Sequence, residues 1–241
     1  MRHLARIGAL SLAIFALSFC CLVTDAAVPG AVQIRSRSDW DVYIEAAAAA
    51  FDAKDYANAE KQAQAALQYS SRFHPEDLRV ANTYATLGKI YEAQGKYEAA
   101  EAPLRKALEI CRQAVREENV FEVGCLDDLA ELYEAEGKYS DAEPLRKQSL
   151  KIATKVMDGK GPLVVLCAEN LAQLYAAEKQ FAVADELWLR SLRINEDEYG
   201  KESIQVALTL EKRASMLSEA GREREAADVK NRAAKIRKKL P

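Results

Sequence analysis

Histidine is almost missing from this chain: among 241 residues there are only His3 and His74. A nucleophile–histidine pair would therefore have to use His74, and no motif surrounds a candidate nucleophile. The ten glycines form no phosphate-cradling loop. Of five cysteines, Cys20 and Cys21 lie in an N-terminal apolar run, and Cys111, Cys125 and Cys167 are an odd number. No cysteine pair has metal-ligand spacing, so neither a metal nor any other cofactor is expected. Basic excess is also absent. The net charge is −3, and without the first 26 residues the count is 32 basic against 36 acidic. That balance argues against nucleic-acid binding, which is driven by phosphate neutralisation.

What the chain does have is repetition. A short pattern returns five times, as Lys54-Asp55-Tyr56, Gly95-Lys96-Tyr97, Gly137-Lys138-Tyr139, Lys179-Gln180-Phe181 and Gly221-Arg222-Glu223, at spacings of 41, 42, 42 and 42 residues. A period of this size marks an array of small supersecondary units. Three further positions are small in every repeat: Ala47, Gly88, Ala130, Ala172 and Ala214; Ala59, Ala100, Ala142, Ala184 and Ala226; and Ala66, Ala107, Ser149, Ser191 and Ala233. Recurrent small residues let helix backbones approach closely, so these positions are expected at helix–helix crossings. Between them run apolar stripes at helical spacing, such as Leu87-Ile90-Tyr91, Leu129-Leu132-Tyr133 and Leu171-Leu174-Tyr175. Gly95 and Gly137 suit the left-handed residue that ends a helix, so each repeat is expected to be a helical hairpin. Cys125 and Cys167 fall at equivalent repeat positions, about a helix diameter apart and too far for an unstrained disulfide. They are expected to be small buried apolar residues.

The small–aromatic–small grammar resembles the tetratricopeptide repeat. The 42-residue period, with runs such as Gly137-Lys138-Tyr139-Ser140-Asp141-Ala142-Glu143-Pro144-Leu145, is similar to the longer form found in kinesin light chains. HEAT-type arrays share the period but lack this turn. The resemblance implies an all-α fold, a right-handed α-solenoid of five hairpins over residues 39–238, with repeats at 39–79, 80–121, 122–163, 164–205 and 206–238. It also implies a non-enzymatic scaffold that binds another protein or peptide.

The N-terminus reads as a targeting segment. Arg2 and Arg6 precede an uncharged run from Ile7 to Val23, and Thr24-Asp25-Ala26 places small residues before a cut at Ala27. Residues 1–26 are thus expected to be a secretory signal, with export to a periplasm or secretion. An uncleaved anchor, or a lipoprotein modified at Cys20, remains open. Residues 27–38 read as a linker, and Ser38 with Asp41 as a capping box that starts the first helix.

In the family that this chain resembles, first helices line a concave face. Transferred by position, that face carries Asn82 and Lys89 in the second repeat, Asp127, Glu131 and Glu134 in the third, Glu169, Asn170 and Gln173 in the fourth, and Glu211 in the fifth. A family pattern of paired asparagines survives only at Asn170. Acids replace them, so a basic partner segment is expected; carboxylates such as Asp127 and Glu131, one turn apart, read otherwise as a solvated helix face. The alternative function is a structural subunit of an envelope or secretion complex, contacting through helix edges and the basic segment Lys230–Lys239. Trp188 is expected either in the core or as a partner anchor.

Overall fold

The computed structural model describes residues 38–115 and 118–240. The expected signal and most of the expected linker lie outside them. Among the described residues the chain is all-helical, with ten helices. They divide between two compact units, Met1–Glu117 and Glu118–Pro241.

The first unit holds two antiparallel hairpins, α1 (Asp39–Asp52) with α2 (Tyr56–Ser70) and α3 (Leu78–Ala93) with α4 (Tyr97–Ala114). The second holds three: α5 (Val120–Ala135) with α6 (Tyr139–Val156), α7 (Gly161–Ala177) with α8 (Phe181–Tyr199), and α9 (Ile204–Glu219) with α10 (Glu223–Lys239). Each first helix after α1 begins two or three residues before the repeat boundary drawn from the period, because capping residues such as Asp77, Asn119 and Ser203 start it earlier. The capping box at Ser38 forms: its hydroxyl accepts from the Asp41 amide, and the Asp41 carboxylate accepts from the Ser38 amide at 2.8 Å.

All fifteen recurrent small residues are buried. The closeness that they permit is measured at Gly88, where an added Cβ would lie 2.4 Å from Cγ of Leu104. In the first unit Ala47, Ala59, Ala63, Leu87 and Ile90 form one core, flanked by Phe51 and Leu67. The Trp40 indole N–H donates to the Thr83 hydroxyl at 2.9 Å and ties α1 to α3. In the second unit Leu192, Val206, Leu210, Ala233 and Ile236 gather under Val229 and Leu240. Cys111, Cys125 and Cys167 are buried free thiols, as expected for Cys125 and Cys167 from their equivalent repeat positions.

Every hairpin turns in the same way. The first residue of the recurring tripeptide is left-handed in all five, at Lys54, Gly95, Gly137, Lys179 and Gly221, with φ between 61° and 74°. The next amide then reaches back to a carbonyl five residues earlier: Asp55 to Ala50, Lys96 to Tyr91, Lys138 to Tyr133, Gln180 to Tyr175 and Arg222 to Leu217, at 2.8–2.9 Å. This is the Schellman closure, and it satisfies carbonyls that the helix end would otherwise orphan. Lys54 and Lys179 hold this conformation with a Cβ, which is sterically costly. Lys179→Gly is therefore expected to raise stability by about 0.5–1 kcal/mol. A higher urea midpoint checks this, and an unchanged or lower one refutes it.

Candidate interaction face

The first helices present the predicted residues, but not as a bare acidic surface. On α5, Asp127 and Glu134 converge on Arg146 of α6. Arg146 Nε donates to Glu134 Oε1 at 2.7 Å and Nη1 donates to Asp127 Oδ1 at 3.0 Å. The Arg146 side chain is only 7% exposed. Burial opposes its charge, but the carboxylates of Asp127 and Glu134 outweigh burial and hold the guanidinium above its ordinary range. Burial also pushes the Glu134 carboxyl up; Arg146 offsets part of that, while Glu131 and Asp127 add to it. Asp127 further accepts from the Cys167 thiol at 3.9 Å. Burial, then the Asp127 carboxylate, pushes that thiol up to about 12, so it is not a nucleophile at neutral pH.

On α7, Glu169 is buried rather than displayed. It accepts from the Thr209 hydroxyl at 2.7 Å and from Lys212 at 2.5 Å, and Asn195 donates to the same threonine at 3.0 Å. On α9, Glu211 receives Arg237 of α10, which holds its carboxyl below the usual range. Asp185 on α8 is buried, which alone would raise its pKa. Arg213 at 2.6 Å and Arg222 at 2.8 Å reverse this and lower it. In the first unit Lys89 is buried on α3, 4.0 Å from Glu92, and Asn82 is half-buried. Glu131, Asn170 and Gln173 are likewise half-buried on their helices.

The periodicity of these faces, the left-handed turn and the buried small residues are joined by a family match. The tetratricopeptide repeat model matches residues 41–113, 122–187 and 164–239. This chain belongs to the tetratricopeptide repeat family.

Among solved structures, the tetratricopeptide repeat chain is similar to the kinesin light chain nearly identical TPR-like repeats of Podosopora anserina, at 20% identity, with a TM-score of 0.73 over 85% of this chain and 97% of that one. It is also similar to BtubC (BKLC) from P. vanneervenii, at 20% identity and a TM-score of 0.71 over 95% of this chain and 88% of that one. A third similar structure is PilF of Pseudomonas aeruginosa, at 19% identity and a TM-score of 0.58 over 82% and 76%. At these identities the likeness is one of fold. No curated protein matches the sequence.

Transfer by position from the resemblance put these residues on the first helices but missed their counter-cations. Arg146 had a visible signal: it occupies the second-helix slot that Leu104 and Trp188 fill in neighbouring repeats, and a charge in a core slot needs a buried partner. Lys212 and Arg237 carried no such signal, since lysine and arginine are ordinary on helix surfaces. Trp188 is core, 1% exposed, with Lys212 Nζ 6.0 Å from the ring centre. The basic C-terminal segment folds back in part: Arg232 pairs with Glu196, Arg237 with Glu211 and Lys239 with Glu202. Among the described residues no cluster of three or more His, Cys, Asp or Glu could hold a metal, and no helix is long and apolar enough to cross a membrane.

Proposed function

We propose that this tetratricopeptide repeat protein is a non-enzymatic interaction scaffold that holds a basic segment of another protein on its first-helix face, in an exported compartment. The repeat fold is in general a scaffold for protein–protein interaction, without catalysis of its own. The observation that carries the finer reading is the charge of that face in the second unit. Those first helices carry Asp127, Glu131, Glu134 and Glu211 at half-buried positions and Glu169 in the interior, so acids dominate the ionisable side chains that the face presents. Opposite potential in the partner favours encounter and specificity more than raw affinity. The compartment rests on Arg2, Arg6, the apolar run Ile7–Val23 and Thr24-Asp25-Ala26. Sequencing the N-terminus of the protein purified from its own cells tests it, and a retained Met1 argues for an anchor instead.

Burial decides which acids serve as a test. Reversal at Glu169 would strand Thr209 and Lys212 and disturb folding, so Glu131 is the position to change. Glu131→Lys is expected to weaken partner capture by about five- to ten-fold at low salt, with a smaller loss at high salt, where screening already weakens the attraction. The measurement is a pull-down from native extract with a helicity control by circular dichroism. Capture unaffected by Glu131→Lys in a folded variant removes the charge reading.

A further inference from the structure

The first and last described helices carry opposite charge. Helix α1 holds Asp39, Asp41, Glu45 and Asp52 and no basic residue, a net of −4. Helix α10 holds three acids and seven bases, a net of +4, and no acid follows Lys230 in it. Asp39 and Asp52 are exposed and have no ion pair among the described residues; the same holds for Lys230, Lys235 and Lys238.

Both helices also present a bare face where the inner repeats are covered. Later repeats fill the position of Val42 with Thr83, Cys125, Cys167 and Thr209, all buried, whereas Val42 is 48% exposed. Ala49 is exposed where Ile90, Leu132, Leu174 and Met216 are buried. On α10 the exposed Ala234 takes the place of the buried Leu108, Leu150 and Leu192. Inside the second unit these two faces meet. Asn195 of α8 donates to Thr209 of α9 at 3.0 Å, Arg213 of α9 donates to Asp185 of α8 at 2.6 Å, and Leu192 shares a core with Val206. Among the described residues no hairpin precedes α1 and none follows α10. A terminal repeat ordinarily protects such a face with polar side chains. Helix α1 does not, since Val42, Ala46 and Ala49 follow one another at i, i+4 and i+7.

We propose that each bare face is covered by the other face of a second copy: α10 of one molecule packs on α1 of the next and continues the hairpin-to-hairpin contact between molecules. Carried over, the register of α8 on α9 sets Ala234 opposite Asp39, Arg237 opposite Val42 and Ala227 opposite Ala46. Alanine on both sides lets the helix axes approach closely. The stem of Arg237, whose guanidinium is held by Glu211, covers Val42. Lys238, one turn beyond Ala234, comes beside Asp39. Like faces repel instead, because two α1 helices bring acids against acids and two α10 helices bring bases against bases. The two faces differ, so a bound pair still offers one of each, and association continues past the dimer. None of this depends on a partner for the first-helix carboxylates.

The test is sedimentation velocity of the protein purified from its own cells, between about 1 µM and about 1 mM. The expected result is a weight-average mass that climbs past the dimer with concentration. Association should be about five-fold weaker at roughly 0.5 M salt than at roughly 0.05 M. Val42→Arg sets a cation against Arg237, and Ala234→Glu sets an acid against Asp39, so each should weaken association about ten-fold or more. Both positions are exposed, and both variants should keep wild-type circular dichroism. An equimolar mixture of the two should recover a pair within about two-fold of wild-type affinity, because each variant supplies the intact face that the other lacks. A misfolded variant could not do this. A loss with Val42→Arg alone shows α1 pairing with α1, a loss with Ala234→Glu alone shows α10 pairing with α10, and either overturns the proposal. A wild type that stays monomeric over the whole range also overturns it; if Val42→Arg then lowers the urea midpoint, the cover is the chain's own segment before Ser38.

Discussion

Arg146→Ala is expected to destabilise the protein by about 3–5 kcal/mol, the usual cost of stranding the partners of a buried ion pair. Asp127 and Glu134 would lose the one guanidinium that both of them bond. The sign with pH follows from Glu134, whose carboxyl burial already pushes upward. A carboxyl with a raised folded pKa contributes stability that is present below its unfolded value and is lost as pH rises through the folded one. Without Arg146 that upward push grows. The defect should therefore be largest near neutral pH and shrink below about pH 5. Urea midpoints across this range, with hydrogen exchange of the α5 and α6 amides, provide the measurement. A pH-independent defect would mean that lost packing of the long side chain, not stranded charge, is the cause. The charge-balanced variant Arg146→Leu/Asp127→Asn/Glu134→Gln is expected to recover most of the loss, since Leu104 occupies the same slot in the first unit.

Trp188→Ala should cost about 3–5 kcal/mol, the range for removing a large aromatic from a packed interior. Trp188 is the largest of the fully buried side chains among the described residues. Its indole Nε1 has no hydrogen-bond partner among the described residues, and a buried donor without one carries its own penalty of about 1–3 kcal/mol. Trp188→Phe removes that donor with part of the ring, so its cost should fall well below that of alanine. The two tryptophans make this readable, because Trp40 lies in the first unit and Trp188 in the second. Trp40→Phe leaves fluorescence that reports α8 directly, and Trp188→Phe leaves fluorescence that reports α1. If Trp188→Ala shifts the urea midpoint no further than Trp188→Phe, the slot collapses around the missing ring and the packing account is wrong.

The hairpins were legible because their signals are local. A left-handed residue, a Schellman closure and a small residue at a helix crossing each depend on a few neighbours, and the 42-residue period repeats the same message five times. Lys54 and Lys179 show the strength of that repetition, since both adopt the glycine conformation against their own steric preference. The face was legible only as positions. Glu169 and Glu211 occupy equivalent places and read alike as surface acids, yet Glu169 is buried under Thr209 and Lys212 while Glu211 is half-buried beside Arg237. Their partners lie 40 and 43 residues away for Glu169 and 26 for Glu211, beyond the reach of any local pattern.

By itself the sequence determined that this chain is an all-α tetratricopeptide repeat protein, where each hairpin turns, and which small residues meet at the crossings. Those properties are set by backbone sterics and a short period. Tertiary structure alone decided which charges are spent inside the protein, that Trp188 belongs to the core, and that Val42 stays in water. Burial and ion pairing are set by whichever side chains the fold brings together, and those side chains come from different helices.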